Sequence, residues 1–163
     1  MSNSDFFLDL DGIEGESTDQ DFKGKIEIET FGFGVSNEGT MAKGGGGGTG
    51  RAKFENITIT KVIDKSSPKL FKSAATGDHI KKAVISARKA SGKGNQYVYV
   101  SYTLEDVMVT GYSTTAVPGN PVLQETVKLD FTRIKIEYKP QKADGTPEGA
   151  VPAGYDRGTN RAN

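Results

Sequence analysis

Few residues in this sequence have the types and spacing that support chemistry. His79 is the only histidine and there is no cysteine, so one chain cannot assemble a histidine-dependent triad, a multi-histidine metal site or a thiolate nucleophile. A polar residue opening a strand is the simpler role for His79. Paired carboxylates need a separation that exists only in three dimensions, and nothing in the sequence favours them. The residues therefore predict a protein that is not an enzyme and that needs no cofactor or metal.

Two stretches resemble ligand-binding loops, but each lacks an essential residue. The acid-rich segment 9–16 has the spacing of a calcium loop, except that Ile13 stands where a third oxygen ligand is needed. The glycine-rich segment 44–50 resembles a phosphate loop, yet Arg51 and Ala52 replace the required lysine and hydroxyl residue. A strand pattern follows it, where a phosphate site needs a helix N-terminus. We interpret the first segment as a solvated loop and reject the second as a phosphate site.

Composition limits the classes of partner. Lys plus Arg and Asp plus Glu both number 21, so no basic excess indicates a nucleic acid or an acidic membrane surface. No run of 18 apolar residues is present, which predicts no membrane insertion. The first nine residues contain neither a basic region nor an apolar run of signal-peptide length. We therefore expect a cytoplasmic protein that, if it is exported, leaves without a cleaved signal.

The stretch 96–104 has the strongest strand character, because it is rich in tyrosine and valine. Its aromatic ladder of Tyr97, Tyr99 and Tyr102 has two possible uses. One is a stacking platform for bases or sugars. The other, and the commoner, is packing in the core and between strands.

One short helix is predicted over residues 67–77, between strands on both sides. Ser67 can cap its first turn, Pro68 suits its first position, and Gly77 can end it in the left-handed conformation. The predicted packing face contains Leu70, Phe71, Ala74 and Ala75. So short a helix is not stable alone, which means that this face must pack on the strands.

Most of the remaining chain alternates with the period of two that is typical of strands. The apolar side changes within three of these segments, namely 25–33, 51–63 and 127–138. Such changes fit strands that turn the corners of a barrel, and they also fit a second, intermolecular interface. The fold class is therefore mainly β: a small antiparallel β-barrel or sandwich with one short flanking α-helix. We expect one domain over residues 1–138, with a long glycine-rich loop at 36–50, and an extended C-terminal tail at 139–163.

Several motifs, in order along almost the whole chain, resemble the haemolysin-coregulated protein family, the tube subunit of type VI secretion. They are LDGIEGES (10–17), FGFG (31–34), GGGGG (44–48), TKVIDKSSP (60–68), RKA (88–90) and EYKPQKADG (137–145). The sequence departs from the family at Phe31, Phe33 and Tyr155, where tryptophan is common. These are exchanges between aromatic residues, so they affect ring packing more than the fold.

The resemblance implies a tail-tube-like β-barrel that assembles into homohexameric rings, which stack into a hollow tube. The implied partners are other copies of the chain and the sheath, spike and effector proteins of the secretion apparatus. The tube would be expelled, and its lumen would hold and chaperone small effectors. A phage-like tail-tube protein is close to this interpretation, and a monomeric secreted β-sandwich binding module is the main alternative.

On this basis we assign three hypothetical surfaces. Gly32 would face the lumen, where a small residue leaves room for cargo. The glycine run Gly44, Gly45, Gly46, Gly47 and Gly48 would contact the next ring, since glycine permits close approach of the backbone. Neighbouring subunits would pair through the helix flank or through strand edges.

Overall fold

The computed structural model describes residues 5–39 and 51–163; the glycine run 44–48 and most of the predicted loop 36–50 lie outside them. The elements in chain order are β1 (Phe6–Leu10), β2 (Ile26–Ile28), β3 (Thr30–Gly32), β4 (Val35–Ser36), β5 (Lys53–Phe54), β6 (Ile57–Val62), α1 (Ser67–Thr76), β7 (His79–Ala90), β8 (Gln96–Thr115), β9 (Gln124–Tyr138), β10 (Val151–Asp156) and β11 (Arg161–Ala162). The predicted fold class, mainly β with antiparallel pairing and one short helix, is confirmed.

The order of paired strands closes around a single core. Starting at β2, successive neighbours are β1, β7, β8 and β9. The first half of β9 pairs with β6, and β6 pairs with β3, which follows β2 directly. Residue Glu29 separates β2 from β3, and its N–H donates to the carbonyl of Thr60 in β6. The segment 26–32 therefore leaves one partner strand for another, which explains its predicted change of apolar side.

The change of apolar side predicted near Thr132 is confirmed, and it extends across three strands. Buried side chains in β9 skip from Phe131 to Ile134, and the paired positions in β8 skip from Val107 to Leu104. In β7, the residues paired with Val107 and Leu104 are Ile80 and Ala83, so the buried side chains skip two positions there as well. Asp106 lies at this line with a φ of 53°, a left-handed conformation that Asp tolerates better than most residues. The shift is therefore a corner of the sheet, made in register by three strands.

Helix α1 covers the sheet by a narrower stripe than predicted. Leu70 is fully buried and Ala74 packs against the core, but Phe71 is 60% exposed and Ala75 is exposed. The prediction that Phe71 shares the buried face is wrong, because one residue turns the helix by about 100° and only Leu70 points straight at the core.

The predicted end of α1 is confirmed, and its predicted cap is not. Gly77 takes the left-handed conformation and its N–H donates to the carbonyl of Ser73. At the other end, Ser66 occupies the cap position and no side chain caps the first turn. Ser67 is already helical, and its hydroxyl instead accepts from the N–H of Asp64.

The predicted extended tail is a second correction, because residues 151–162 belong to the sheet. β10 pairs with the second half of β9 over six residues, and β11 pairs with β10. Tyr155 contacts Phe54, with ring centroids 5.1 Å apart. The prediction was based on the low apolar content of this stretch. The stretch is instead ordered by backbone hydrogen bonds to β9, and composition does not record such pairing. No helix in the described part of the chain is long and apolar enough to cross a membrane.

Candidate assembly surfaces

The outer side of strands β3, β6, β9 and β8 is an exposed, low-relief surface, which we call the hydroxyl face. Two cross-strand rows form it. One row is Thr30, Thr60, Thr126 and Ser113, and the other is Gly32, Thr58, Lys128 and Gly111. The intervening residues, such as Ile59 and Val127, point into the core. Short side chains therefore cover about 14 Å across four strands, given the usual strand spacing.

Gly32 lies in the open on this face. A Cβ atom built on it meets no atom within 4 Å, so neither packing nor backbone strain requires glycine there. The structure places Gly32 on an exposed sheet surface, which the lumen hypothesis requires.

Lys128 is the charged member of the rows. Its stem lies beside Gly111, where an added Cβ would approach the lysine Cδ to 3.3 Å. Its ammonium has no ion-pair or hydrogen-bond partner among the residues that the structure describes. The lysine therefore projects an unpaired positive charge from rows whose other members are uncharged.

The exposed side of α1 is a second surface. Phe71 meets the ring of Tyr112 edge-on, with centroids 6.3 Å apart, and remains largely open to solvent. Lys69 and Lys72 are exposed on either side of it along the sequence. Beyond the start of α1, exposed aliphatic residues gather at the end of β6 and in the β8–β9 connection: Val62, Ile63, Val117 and Val122. Both patches expose apolar surface of the kind that self-association buries.

A buried polar cluster fixes α1 to the strands. Lys61 is fully buried, and its Nζ lies 2.6 Å from Glu125 Oε1 and 3.0 Å from Asp64 Oδ1. Ser67 donates to Glu125 over 2.7 Å, and the hydroxyl of Tyr112 donates to the other oxygen of that carboxylate. The cluster thus joins β6, β8, β9 and the first turn of α1.

The environment shifts the pKa values of two groups in this cluster. Burial acts to raise the pKa of Glu125, but the hydrogen bonds from Lys61, Tyr112 and Ser67 together lower it below its ordinary value. Burial, followed by the bond to Glu125, raises the pKa of the Tyr112 phenol. Glu125 is therefore held ionised and Tyr112 neutral, as their hydrogen bond requires.

Sequence reasoning missed Lys61 and Glu125, although a signal was available. Lys61 follows Ile57 and Ile59 at the inward positions of β6, and Glu125 precedes Val127 and Leu129 at the inward positions of β9. A lysine and a glutamate at core positions need partners, and each supplies the other's.

The acid-rich loop is bound by cations of the same chain. Asp19 accepts from both terminal nitrogens of Arg88, and this bond lowers the pKa of Asp19. Asp9 pairs with Lys25 at 3.1 Å, and Glu14 lies 3.7 Å from Lys65. Within the described ranges, no group of three or more His, Asp or Glu side chains is placed to hold a metal ion. The loop is thus fixed by ion pairs and by the guanidinium of Arg88, which lies 4.8 Å from the centroid of the Phe7 ring.

His79 and the tyrosine ladder have packing and surface roles. His79 Nδ1 lies 2.9 Å from Asp106 Oδ1, and Thr132 donates to the other oxygen of Asp106. The threonine hydroxyl is bound to the carboxylate and not to the imidazole, so these groups do not form a nucleophile and its base. Tyr102 packs on Phe31 with ring centroids 5.4 Å apart, which confirms a packing role for that member of the ladder.

Charge is unevenly divided along the chain. Residues 1–39 contain ten carboxylates and two lysines, giving a formal charge of −8, and the rest of the chain carries the balancing +8. The carboxylates are Asp5, Asp9, Asp11, Glu14, Glu16, Asp19, Asp21, Glu27, Glu29 and Glu38. Five of them, Asp9, Glu14, Asp19, Asp21 and Glu38, pair with cations in the described part of the same chain. The others, Glu27 and Glu29 among them, are the carboxylates left to attract a second copy of the chain.

Comparisons with known proteins give one answer. A family model described as "Type VI secretion system effector, Hcp" matches residues 7–138. The chain is 38% identical to "Protein hcp1" of Pseudomonas aeruginosa over 145 residues, which are 89% of each protein. Among solved structures, a type six secretion system protein superposes with a TM-score of 0.90 at 31% identity, covering 98% of this chain and 99% of that one. Hcp1 from Salmonella typhimurium superposes with a TM-score of 0.79 at 35% identity, over 98% of both chains.

Proposed function

The chain belongs to the Hcp family of type VI secretion proteins, and from this premise we propose that it is a tube subunit that forms hexameric rings. The rings stack into a hollow tube that is expelled, and the lumen carries and chaperones small effectors. Members of this family are secreted structural proteins, so the proposed role is assembly and not catalysis. The observation that carries the proposal is the superposition on a type six secretion system protein and on Hcp1, each of which covers 98% of this chain.

Features of the described residues support self-association. Exposed apolar side chains lie on α1 and at the end of β6, and the acidic and basic residues are separated along the chain. Self-association between different patches of two copies gives a closed ring when the rotation between copies closes. Sheath, spike and effector proteins are the further partners that the type VI apparatus implies. The protein is made in the cytoplasm and is secreted as part of the expelled tube.

The decisive experiment is the mass of the purified full-length protein by light scattering across a dilution series, with negative-stain images of the same fractions. We expect a species of six subunits that appears as rings. A 17.4 kDa monomer at every salt and protein concentration would contradict the proposal and favour a monomeric binding module. A phage-like tail-tube protein would also form rings, and only export that depends on the type VI apparatus separates the two.

The stacking role of residues 44–48 is tested by their deletion. We expect shorter tubes from rings with an unchanged number of subunits, because the deletion removes an axial contact only. Tubes of normal length would contradict the assignment.

The lumen position of Gly32 is tested by Gly32→Trp. Since nothing lies within 4 Å of the site, the subunit should fold and form rings, and the bulky ring should reduce cargo retention. The matched control is Gly149→Trp, which is also open within 4 Å but lies off the hydroxyl face. Normal retention of cargo by Gly32→Trp would contradict the proposal.

A further inference from the structure

We propose that Lys128 makes the hydroxyl face select cargo with an acidic protein surface. This inference rests on the proposed function, in which the face around Gly32 lines the lumen. It adds the chemistry of the cargo and the residue that recognises it.

The cross-strand register places Lys128 beside Gly32 on the same surface. Gly32 pairs with Thr58, Thr58 pairs with Lys128, and Lys128 pairs with Gly111. Residues in register across antiparallel strands point to the same side of the sheet. Lys128 lies between Gly111, which has no side chain, and Thr58, whose side chain is short, so a large cargo can reach the ammonium.

The surroundings of Lys128 leave its charge uncompensated. The neighbouring row consists of hydroxyl residues, which carry no charge. Asp130 lies two residues further along β9, but its Oδ1 is 2.6 Å from Arg157 Nη1, so its charge is already paired. Glu29 is exposed beside Thr30, at the edge of the neighbouring row and two strands away from Lys128. Within the two rows themselves, Lys128 is therefore the one unpaired charge of each subunit.

Ring symmetry multiplies this charge. Six copies place six ammonium groups at one level of the lumen, and rings of charged side chains are a known means of selecting ions and charged solutes. The short threonine and serine side chains offer no deep pocket, so selection acts through the electrostatic field more than through shape. Charges within about 8 Å still interact at physiological ionic strength. The best occupant is thus a folded protein or peptide with an acidic surface.

Nucleic acid is a poorer occupant of the same face. Proteins that bind single strands combine positive charge with aromatic rings on which bases stack. The two rows contain only Thr, Ser, Gly and Lys, and the nearby aromatic residue Phe31 alternates with Thr30 and Gly32, on the core side of β3. The face therefore attracts anions without a platform for bases.

The test uses full-length rings of wild type and Lys128→Glu, with the mass of each variant measured first. Lys93→Glu is the matched control, because it makes the same charge change at an exposed position in the turn between β7 and β8, away from both candidate assembly surfaces. The probes are fluorescein-labelled polyglutamate, polylysine and a single-stranded oligonucleotide of equal length, followed by fluorescence anisotropy.

We expect wild-type rings to prefer polyglutamate, and Lys128→Glu rings to bind it about tenfold or more weakly, since like charges at an interface repel. Lys93→Glu rings should keep the wild-type preference. Unchanged binding by Lys128→Glu, an equal loss in Lys93→Glu, or tighter binding of the oligonucleotide would overturn the inference while leaving the rings intact. A monomeric wild type would instead overturn the proposed function, so the two failures are distinguishable.

Discussion

At the scale of single residues, the buried cluster around Lys61 and Glu125 sets the geometry where α1 begins. A buried ion pair is a poor source of net stability, because the cost of removing two charges from water offsets their attraction. Its value lies in specificity: the bonds from Ser67 and Tyr112 to Glu125 fit one position of the helix. The cluster therefore fixes where α1 presents Phe71 and the adjacent lysines.

Removal of one partner should cost far more than removal of both. Lys61→Ala leaves the Glu125 carboxylate buried and unpaired, and we expect the free energy of unfolding to fall by about 3–5 kcal/mol. The double variant Lys61→Met/Glu125→Leu, with similar volumes, should lie much closer to wild type. Chemical denaturation of the three proteins measures this, and an equal loss in both variants would contradict the account.

The cluster should also make stability depend on acid. The pKa of Glu125 is lower in the folded protein than in the unfolded chain, so the unfolded state takes up a proton first as the pH falls. The stabilisation is complete above the unfolded pKa of about 4.3 and is lost as the pH falls through the folded pKa. Glu125→Gln should therefore show a shallower acid loss of unfolding free energy than wild type. Denaturation midpoints measured from neutral to acidic pH test this, and parallel curves would refute it.

At the scale of elements, α1 separates a structural side from an exposed side within two adjacent residues. Leu70 is fully buried in the core, while Phe71 is 60% exposed and meets the ring of Tyr112 edge-on. This division makes the two residues a matched pair for separating folding from assembly.

Leu70→Ala should lower the free energy of unfolding by about 2–5 kcal/mol, because it leaves a cavity in the core. Phe71→Ala should leave the subunit nearly as stable but weaken its self-association, since an exposed ring contributes little to the fold. Thermal unfolding and light scattering of both variants give the two readouts. Rings of normal stability from Phe71→Ala would place the subunit contact elsewhere.

At the scale of the whole molecule, carboxylates without a partner in their own chain predict how subunits attract each other. The first 39 residues have a formal charge of −8, and five of their ten carboxylates pair within the described part of the chain. Glu27 and Glu29, which lie in the segment 26–32, have no ion-pair partner among the described residues. A contact between unlike parts of two copies brings opposite charges together. A contact between the same acidic parts of two copies would bring like charges together, and these repel each other.

Ring assembly should therefore weaken as salt rises, because the screening length falls from about 10 Å at 0.1 M salt to about 3 Å at 1 M. The double variant Glu27→Gln/Glu29→Gln should form rings with a weaker salt dependence. Light scattering at several sodium chloride concentrations measures both proteins. Ring dissociation that is independent of salt in the wild type would contradict a role for charge.

Much of the fold could be predicted from patterns among residues that are close together in the sequence. The aromatic and branched residues of 96–104 predicted a part of β8, and the period-two pattern predicted the change of apolar side within 127–138, because alternation follows directly from strand geometry. Gly77 gave the end of α1, because its left-handed conformation depends on glycine itself. The motifs also gave the family, since they span almost the whole chain.

Other features were decided only by tertiary structure, because they depend on residues far apart in the chain. β10 is ordered by pairing with β9, and composition does not record such pairing. Phe71 is exposed because the core meets only the Leu70 side of the helix. Lys61 meets Glu125 across 64 positions, and Gly32 joins Lys128 in one row through β6. In each case the sequence supplied the residue types, and the closing of the sheet around one core decided which of them meet.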